Sequence, residues 1–126
     1  PTIVLVDDDK FMLDMYAMKF TQGGFEVHAC LSVKDALAVL RAGFAADAIV
    51  FDLTMPGEDG YALLQTLASE HLGEGAKKIA LSNQSTDEER RKAIELGADD
   101  FLIKATMIPS EVVAKIRAIL SLPATS

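Results

Sequence analysis

The chain has 126 residues, half of them hydrophobic and a quarter charged, which is enough for one domain with one buried core and is not the composition of a disordered segment. A formal net charge of −7 argues against a basic nucleic-acid-binding face on this domain. The same charge weighs against docking on an anionic membrane.

The single cysteine, Cys30, cannot form an internal disulfide. It closes an apolar run, so it reads as a buried structural thiol, and no Cys/His spacing suggests zinc. No apolar stretch approaches the roughly 20 residues that span a bilayer. Asp7, Asp8 and Asp9 interrupt the N-terminal apolar run, so no signal-peptide layout is present. A reducing, cytoplasmic setting is the expectation. The chain opens on Pro1, which fits a removed initiator methionine or a fragment of something longer.

Thr2-Ile3-Val4-Leu5-Val6 is a continuous β-rich run, the pattern of a strand buried on both faces. Phe11, Met12, Met15, Tyr16, Met18, Lys19 and Phe20 follow at helical spacing until Gly23-Gly24 stops the helix. The methionine stripe is read as a plain core face. Residues 25–30 form a second strand. Ser32 with Asp35 resembles a capping box opening a helix through Val33, Ala36, Leu37 and Leu40 to about Gly43. Residues 48–51 are a third strand, 61–72 a third helix and 79–81 a fourth strand. Thr86-Asp87-Glu88-Glu89 opens a fourth helix with acids on its first turn, running to about Leu96 with Gly97 as its capping glycine. Residues 101–103 are a fifth strand. Pro109 starts a last helix containing Val112, Val113, Ile116, Ile119 and Leu120, and Pro123 lies beyond its end.

Strands alternating with helices in this way imply an α/β fold, a doubly wound parallel sheet with helices on both faces. One domain over residues 1–122 is expected, with 123–126 a tail or the start of a linker. In such sheets ligands bind outside the carboxyl ends of the strands. Those ends carry Asp7-Asp8-Asp9, Asp52, Ser82-Asn83 and Lys104. Two carboxylates about 4 Å apart repel by some 4 kcal/mol at an intermediate dielectric, so the cluster needs positive charge. Hard oxygen ligands point to Mg²⁺, and Lys104 supplies a second cation. A metal, a lysine and a hydroxyl suit a phosphoryl group, and a carboxylate among them is a plausible nucleophile.

Taken in order, Val4-Leu5-Val6-Asp7-Asp8-Asp9, Asp52-Leu53-Thr54-Met55-Pro56-Gly57-Glu58-Asp59-Gly60, Ala80-Leu81-Ser82 and Gly97-Ala98-Asp99-Asp100-Phe101-Leu102-Ile103-Lys104 resemble the response-regulator receiver family, over nearly the whole chain. The resemblance implies a five-stranded sheet of order 2-1-3-4-5 flanked by five helices, the flavodoxin-like arrangement. It implies that Asp52 accepts phosphate from a histidine kinase or histidine phosphotransfer protein, without turnover chemistry beyond self-phosphorylation and slow self-dephosphorylation. Asp8, Asp52 and the backbone carbonyl of Thr54 would bind Mg²⁺, and Asp7 would hold a metal-bound water. Ser82 would move to bond the phosphate, Lys104 would bridge to it, and Phe101 would report the change to the surface of the fourth helix, fifth strand and fifth helix. An output partner, a fused effector domain or a second copy in a homodimer would read that surface.

Several residues have plainer readings. Asp9 is expected to be a helix N-terminal acid, Asp59 a surface or loop-capping residue, and Lys77-Lys78 the exposed start of a strand. His28 and His71 are isolated and suit neither phosphate transfer nor metal binding. Phe101 serves equally as core, lacking the hydroxyl of tyrosine. Ala105 stands where the family usually has proline after the lysine. A cis bond there without proline would cost about 2.5–4 kcal/mol, so a trans, rearranged 105–109 loop is expected. Asn83 replaces a smaller residue and would narrow access, while Thr54 and Gln84 occupy positions that tune dephosphorylation.

The alternative is a receiver fold used for phosphorylation-independent docking or dimerisation; the complete set of acids and lysine weighs against it. A phosphohydrolase would want a second aspartate where Thr54 stands, and an FMN carrier would want a phosphate loop where the aspartates stand.

Overall fold

A computed structural model describes residues 1–55, 57–83 and 86–122. Its strands β1 (Thr2–Val6), β2 (Glu26–Cys30), β3 (Ala48–Asp52), β4 (Lys77–Ser82) and β5 (Asp100–Ile103) form one sheet of order β2-β1-β3-β4-β5. Every neighbouring pair is parallel. The helices are α1 (Lys10–Gln22), α2 (Val33–Arg41), α3 (Gly60–Ser69), α4 (Asp87–Glu95) and α5 (Pro109–Ile119).

Alternate residues of each apolar strand feed opposite faces. Ile3, Leu5, Val50 and Leu81 pack with Leu13, Tyr16 and Phe20 of α1 and with Val112 and Ile116 of α5. Val4, Val6, Ile49 and Phe51 pack instead with α2, α3 and Ala93 of α4. All five residues of β3 are buried. Burial of a large aliphatic side chain is worth about 1.5–3 kcal/mol, so the strand carrying Asp52 is firmly anchored.

Helix starts follow the sequence signals. Asp9, Ser32, Asp59 and Thr86 are N-caps whose side chains accept backbone N–H groups from Phe11 and Met12, Asp35, Ala62 and Glu89 respectively. Each such cap is worth about 1 kcal/mol. Gly97 turns the chain out of α4 at φ +115°, a backbone conformation that a Cβ disfavours.

Three expectations change. The third helix ends at Ser69, because His71 and Gly73 take positive φ and begin the turn into a longer β4. The α1 stripe is a core face only in part, with Met12, Tyr16 and Phe20 packed into the core. Leu13, Tyr16 and Phe20 point inward, whereas Phe11 (75% exposed) and Met18 (52%) lie on the opposite side of the helix. Finally, the segment after β5 is not a plain loop, because Lys104 opens a 3-10 turn, Lys104–Thr106. A residue before proline is steered away from helical geometry, and Ala105 lifts that restriction. The described residues contain no cis peptide bond, in keeping with the trans loop. Pro56, Gln84 and the 123–126 tail lie outside the described residues.

Candidate phosphoacceptor site

Parallel pairing sets the carboxyl ends of β1, β3, β4 and β5 side by side, and the selected residues follow from that register. Asp7 comes directly after β1, with its N–H held by the Cys30 carbonyl at 3.1 Å. Asp52 ends β3, Ser82 ends β4, and Lys104 comes directly after β5. Asp7 (3% exposed), Asp52 (5%) and Ser82 (3%) are the buried polar residues among those described. Buried polar groups require partners, so the fold concentrates its polar burial at one edge.

Lys104 Nζ donates to Asp7 Oδ2 at 2.8 Å and to Asp52 Oδ2 at 3.1 Å. Thr54 N–H donates to Asp52 Oδ1 at 3.1 Å. Asp7 Oδ1 accepts from the Asp9 N–H at 3.0 Å, so the Asp9 backbone braces Asp7 while its own carboxylate caps α1. This is the helix-terminal role expected of Asp9, although it also borders the cleft.

The electrostatics are incompletely balanced. Burial pushes the Asp52 carboxyl above its ordinary range; the Lys104 charge, the Thr54 N–H and the Lys104 hydrogen bond oppose the rise, and Asp7 adds to it. For Lys104, burial lowers the pKa, but donation to Asp7 and the charges of Asp52 and Asp7 outweigh it and raise the ammonium's pKa. Burial thus dominates at Asp52, whereas the two carboxylates dominate at the ammonium they share.

Asp7, Asp8 and Asp52 each bring a carboxylate oxygen within 4.8 Å of the others. Oxygen donors alone, with charge exceeding that of Lys104, fit a divalent ion of the Mg²⁺ type. The cluster opens into a cleft of about 500 Å³ bordered by Met12, Thr54, Asn83 and Ala105. A hollow of about 450 Å³ beside Asp47, Lys77 and Leu120 lacks this convergence of acids and lysine, so chemistry decides between the two.

Other selected residues fall where their chemistry allows. Ser82 Oγ donates to Glu89 Oε2 at 3.3 Å. Phe101 is buried on the α4 face, with the Arg90 guanidinium carbon 6.0 Å from its ring centre. Asn83 is exposed at the cleft mouth. Cys30 is buried, and His28 lies half-buried against Phe44, with ring centres 3.9 Å apart. Asp59 caps α3, and Lys78 folds back onto the carbonyls of Gly73 and Ala76.

Two neighbours escaped the sequence reading. Glu89 looked like one more first-turn acid, and only its spacing of seven from Ser82 hinted at the contact. Tyr16 looked like core. Burial raises its phenol's pKa, Lys104 opposes that, and Asp7 and Asp52 add to it, so the ring lies within electrostatic reach of the site.

A sequence model of the family described as "Response regulator receiver domain" matches residues 3–117. The transcriptional regulatory protein QseB of Haemophilus influenzae is 33% identical over 118 residues, covering 94% of this chain and 52% of QseB. The transcriptional regulatory protein PrrA of Mycobacterium tuberculosis is 32% identical over 120 residues, 95% of this chain and 50% of PrrA. The chain thus spans about half the length of these curated relatives. Among solved structures, the Francisella response regulator 1452 receiver domain superposes with TM-score 0.85 at 26% identity, over 96% of this chain and 97% of that one. The BeF3-activated receiver domain of DrrB superposes with TM-score 0.80 at 28% identity, over 95% and 97%. No described helix is long and apolar enough to cross a membrane. With matched sequence, sheet order and an acid cluster able to bind a metal, the chain belongs to the response-regulator receiver family, the signalling domains of two-component systems.

Proposed function

We propose that residues 1–122 act as a phosphorylation switch in which Asp52 is the phosphoacceptor. The observation that carries this reading is the placement of Asp52. It is a buried carboxylate at a cleft floor, hydrogen-bonded to Lys104 and within a few ångströms of Asp7 and Asp8. The donor is a phosphohistidine on a kinase or phosphotransfer protein. An Asp52 carboxylate oxygen forms the new P–O bond as the P–N bond breaks, and the electron pair returns to the imidazole.

Lys104 holds Asp52 in place and offers its ammonium to the arriving phosphoryl oxygens. Asp7, Asp8, Asp52 and the Thr54 carbonyl would hold Mg²⁺. The ion, when bound, neutralises charge on the cluster and on the phosphoryl group. Ser82 donates its hydroxyl to the new group. Phe101, under Arg90, carries the change to the α4-β5-α5 surface, where an output partner, a fused effector domain or a second copy binds. The setting is cytoplasmic, where kinase and receiver meet.

The deciding experiment is Mg²⁺-dependent labelling by a small phosphodonor or a cognate kinase. Wild type acquires one acyl phosphate, recognised by its cleavage with hydroxylamine, and Asp52→Ala acquires none. Labelling of Asp52→Ala at the wild-type level would overturn the assignment.

A further inference from the structure

Ser82 and Glu89 are joined across the gap between β4 and α4, with Oγ donating to Oε2 at 3.3 Å. A hydroxyl has one proton to donate. If Ser82 bonds a phosphoryl oxygen, as the switch reading above requires, the proton now given to Glu89 must be given up. We propose that Glu89 is a positioning residue that holds the Ser82 hydroxyl on α4 until a phosphoryl group on Asp52 competes for it. The inference rests on that switch reading and adds a resting acceptor for its hydroxyl.

Three features make the exchange workable. The bond is long for O–H···O, whose usual length is about 2.7–2.8 Å, so it is weak enough to yield to a multiply charged acceptor. A hollow of about 200 Å³, bordered by Thr54, Ser82, Asn83 and Glu89, gives the side chains room to turn. Glu89 itself is fixed from behind, because its N–H donates to the Thr86 cap at 3.1 Å.

The consequence falls on α4. Ala93 is the helix's one fully buried residue among those described. Its remaining ties include Arg90 over Phe101 and Lys92 over Tyr61, the latter at 4.2 Å. Loss of the Ser82 bond removes a tie at the helix's N-terminal end, while Arg90, one residue along, still rests on Phe101. Hydroxyl and ring are thus linked through consecutive residues of one helix.

Competition of this kind lowers the fraction of molecules ready to accept the group, and so weakens apparent affinity. The test is a double-mutant cycle, using Mg²⁺ and beryllofluoride as the phosphoryl mimic and titrating the bound fluoride signal by ¹⁹F NMR. Glu89→Ala is expected to tighten apparent binding about three- to tenfold in the wild-type background and to change nothing in a Ser82→Ala background. Glu89→Gln, which keeps an acceptor oxygen, should stay near wild type. Equal tightening in both backgrounds, no tightening in either, or a Gln variant that matches the Ala variant each overturns the inference. Absence of a bound signal in wild type overturns the switch reading itself, and the inference with it.

Discussion

Lys104 reaches across 97 positions of sequence to place its ammonium 2.8 Å from Asp7, closer than its 3.1 Å approach to Asp52. This cation is a clamp between the carboxyl ends of the first and last strands. Lys104→Met leaves two buried carboxylates without their shared partner and should destabilise the fold by about 3–5 kcal/mol. Urea unfolding reads the loss, and millimolar Mg²⁺ should restore part of it. The raised Lys104 pKa means that its contribution holds through neutral pH and is lost only as pH climbs through that raised value, above the ordinary lysine range. Wild-type stability in Lys104→Met without Mg²⁺ would disprove the clamp.

Asp52 works in the opposite sense. Burial raises its pKa above the unfolded value of about 3.9, so the native state holds this proton more tightly than the unfolded chain does. Stability from this group is therefore present at acid pH and lost as pH rises through the raised pKa. In chelator at pH 7, Asp52→Asn is expected to be more stable than wild type, with the difference shrinking as pH falls and the wild-type carboxylate takes up its proton. Added Mg²⁺ should narrow the gap by stabilising wild type alone. Urea curves at two pH values, with and without Mg²⁺, test this; a less stable variant at pH 7 in chelator would count against it.

Gly60 sits where α3 begins against β3. A Cβ there would lie 2.8 Å from the Asp52 carbonyl oxygen, 2.9 Å from Phe51 Cδ2 and 3.0 Å from Leu53 Cα. Two of these three atoms are backbone and cannot step aside. Gly60→Ala should cost about 1–3 kcal/mol by overpacking and should slow Asp52 labelling by shifting the strand end. Unchanged melting temperature and labelling rate would show that α3 can retreat.

Burial, with Asp35 adding to it, pushes the Cys30 thiol up to about 11. At pH 8 its thiolate is on the order of one part in a thousand, so the native protein should resist iodoacetamide. Mass spectrometry across a urea series should show alkylation following global unfolding. Native labelling at the rate of an exposed thiol would contradict the burial.

The meeting of Asp7, Asp8, Asp52 and Lys104 was legible because apolar strands place their last residues at a common edge, while the sheet order came with the family resemblance. The α1 stripe misled in part, because the exposed Phe11 and Met18 share helical spacing just as the buried Tyr16 and Phe20 do, and periodicity alone does not say which face turns inward. Lys104 was placed correctly beyond the fifth strand, but the 3-10 turn it opens was not foreseen, since strand propensity does not register how Ala105 frees the preceding backbone. The Glu89 contact was hidden because it depends on the distance between two elements rather than on either pattern.

Asp7, Asp8 and Asp52 all lie in the first half of the chain, whereas Lys104 follows the last strand. During synthesis the three acids emerge well before the ammonium that holds two of them. A partial chain ending at β4 would carry the repulsion without its counterweight, so β1 and β3 gain their full reason to lie side by side only when β5 docks on β4. The charge balance of the cluster is therefore a property of the finished domain.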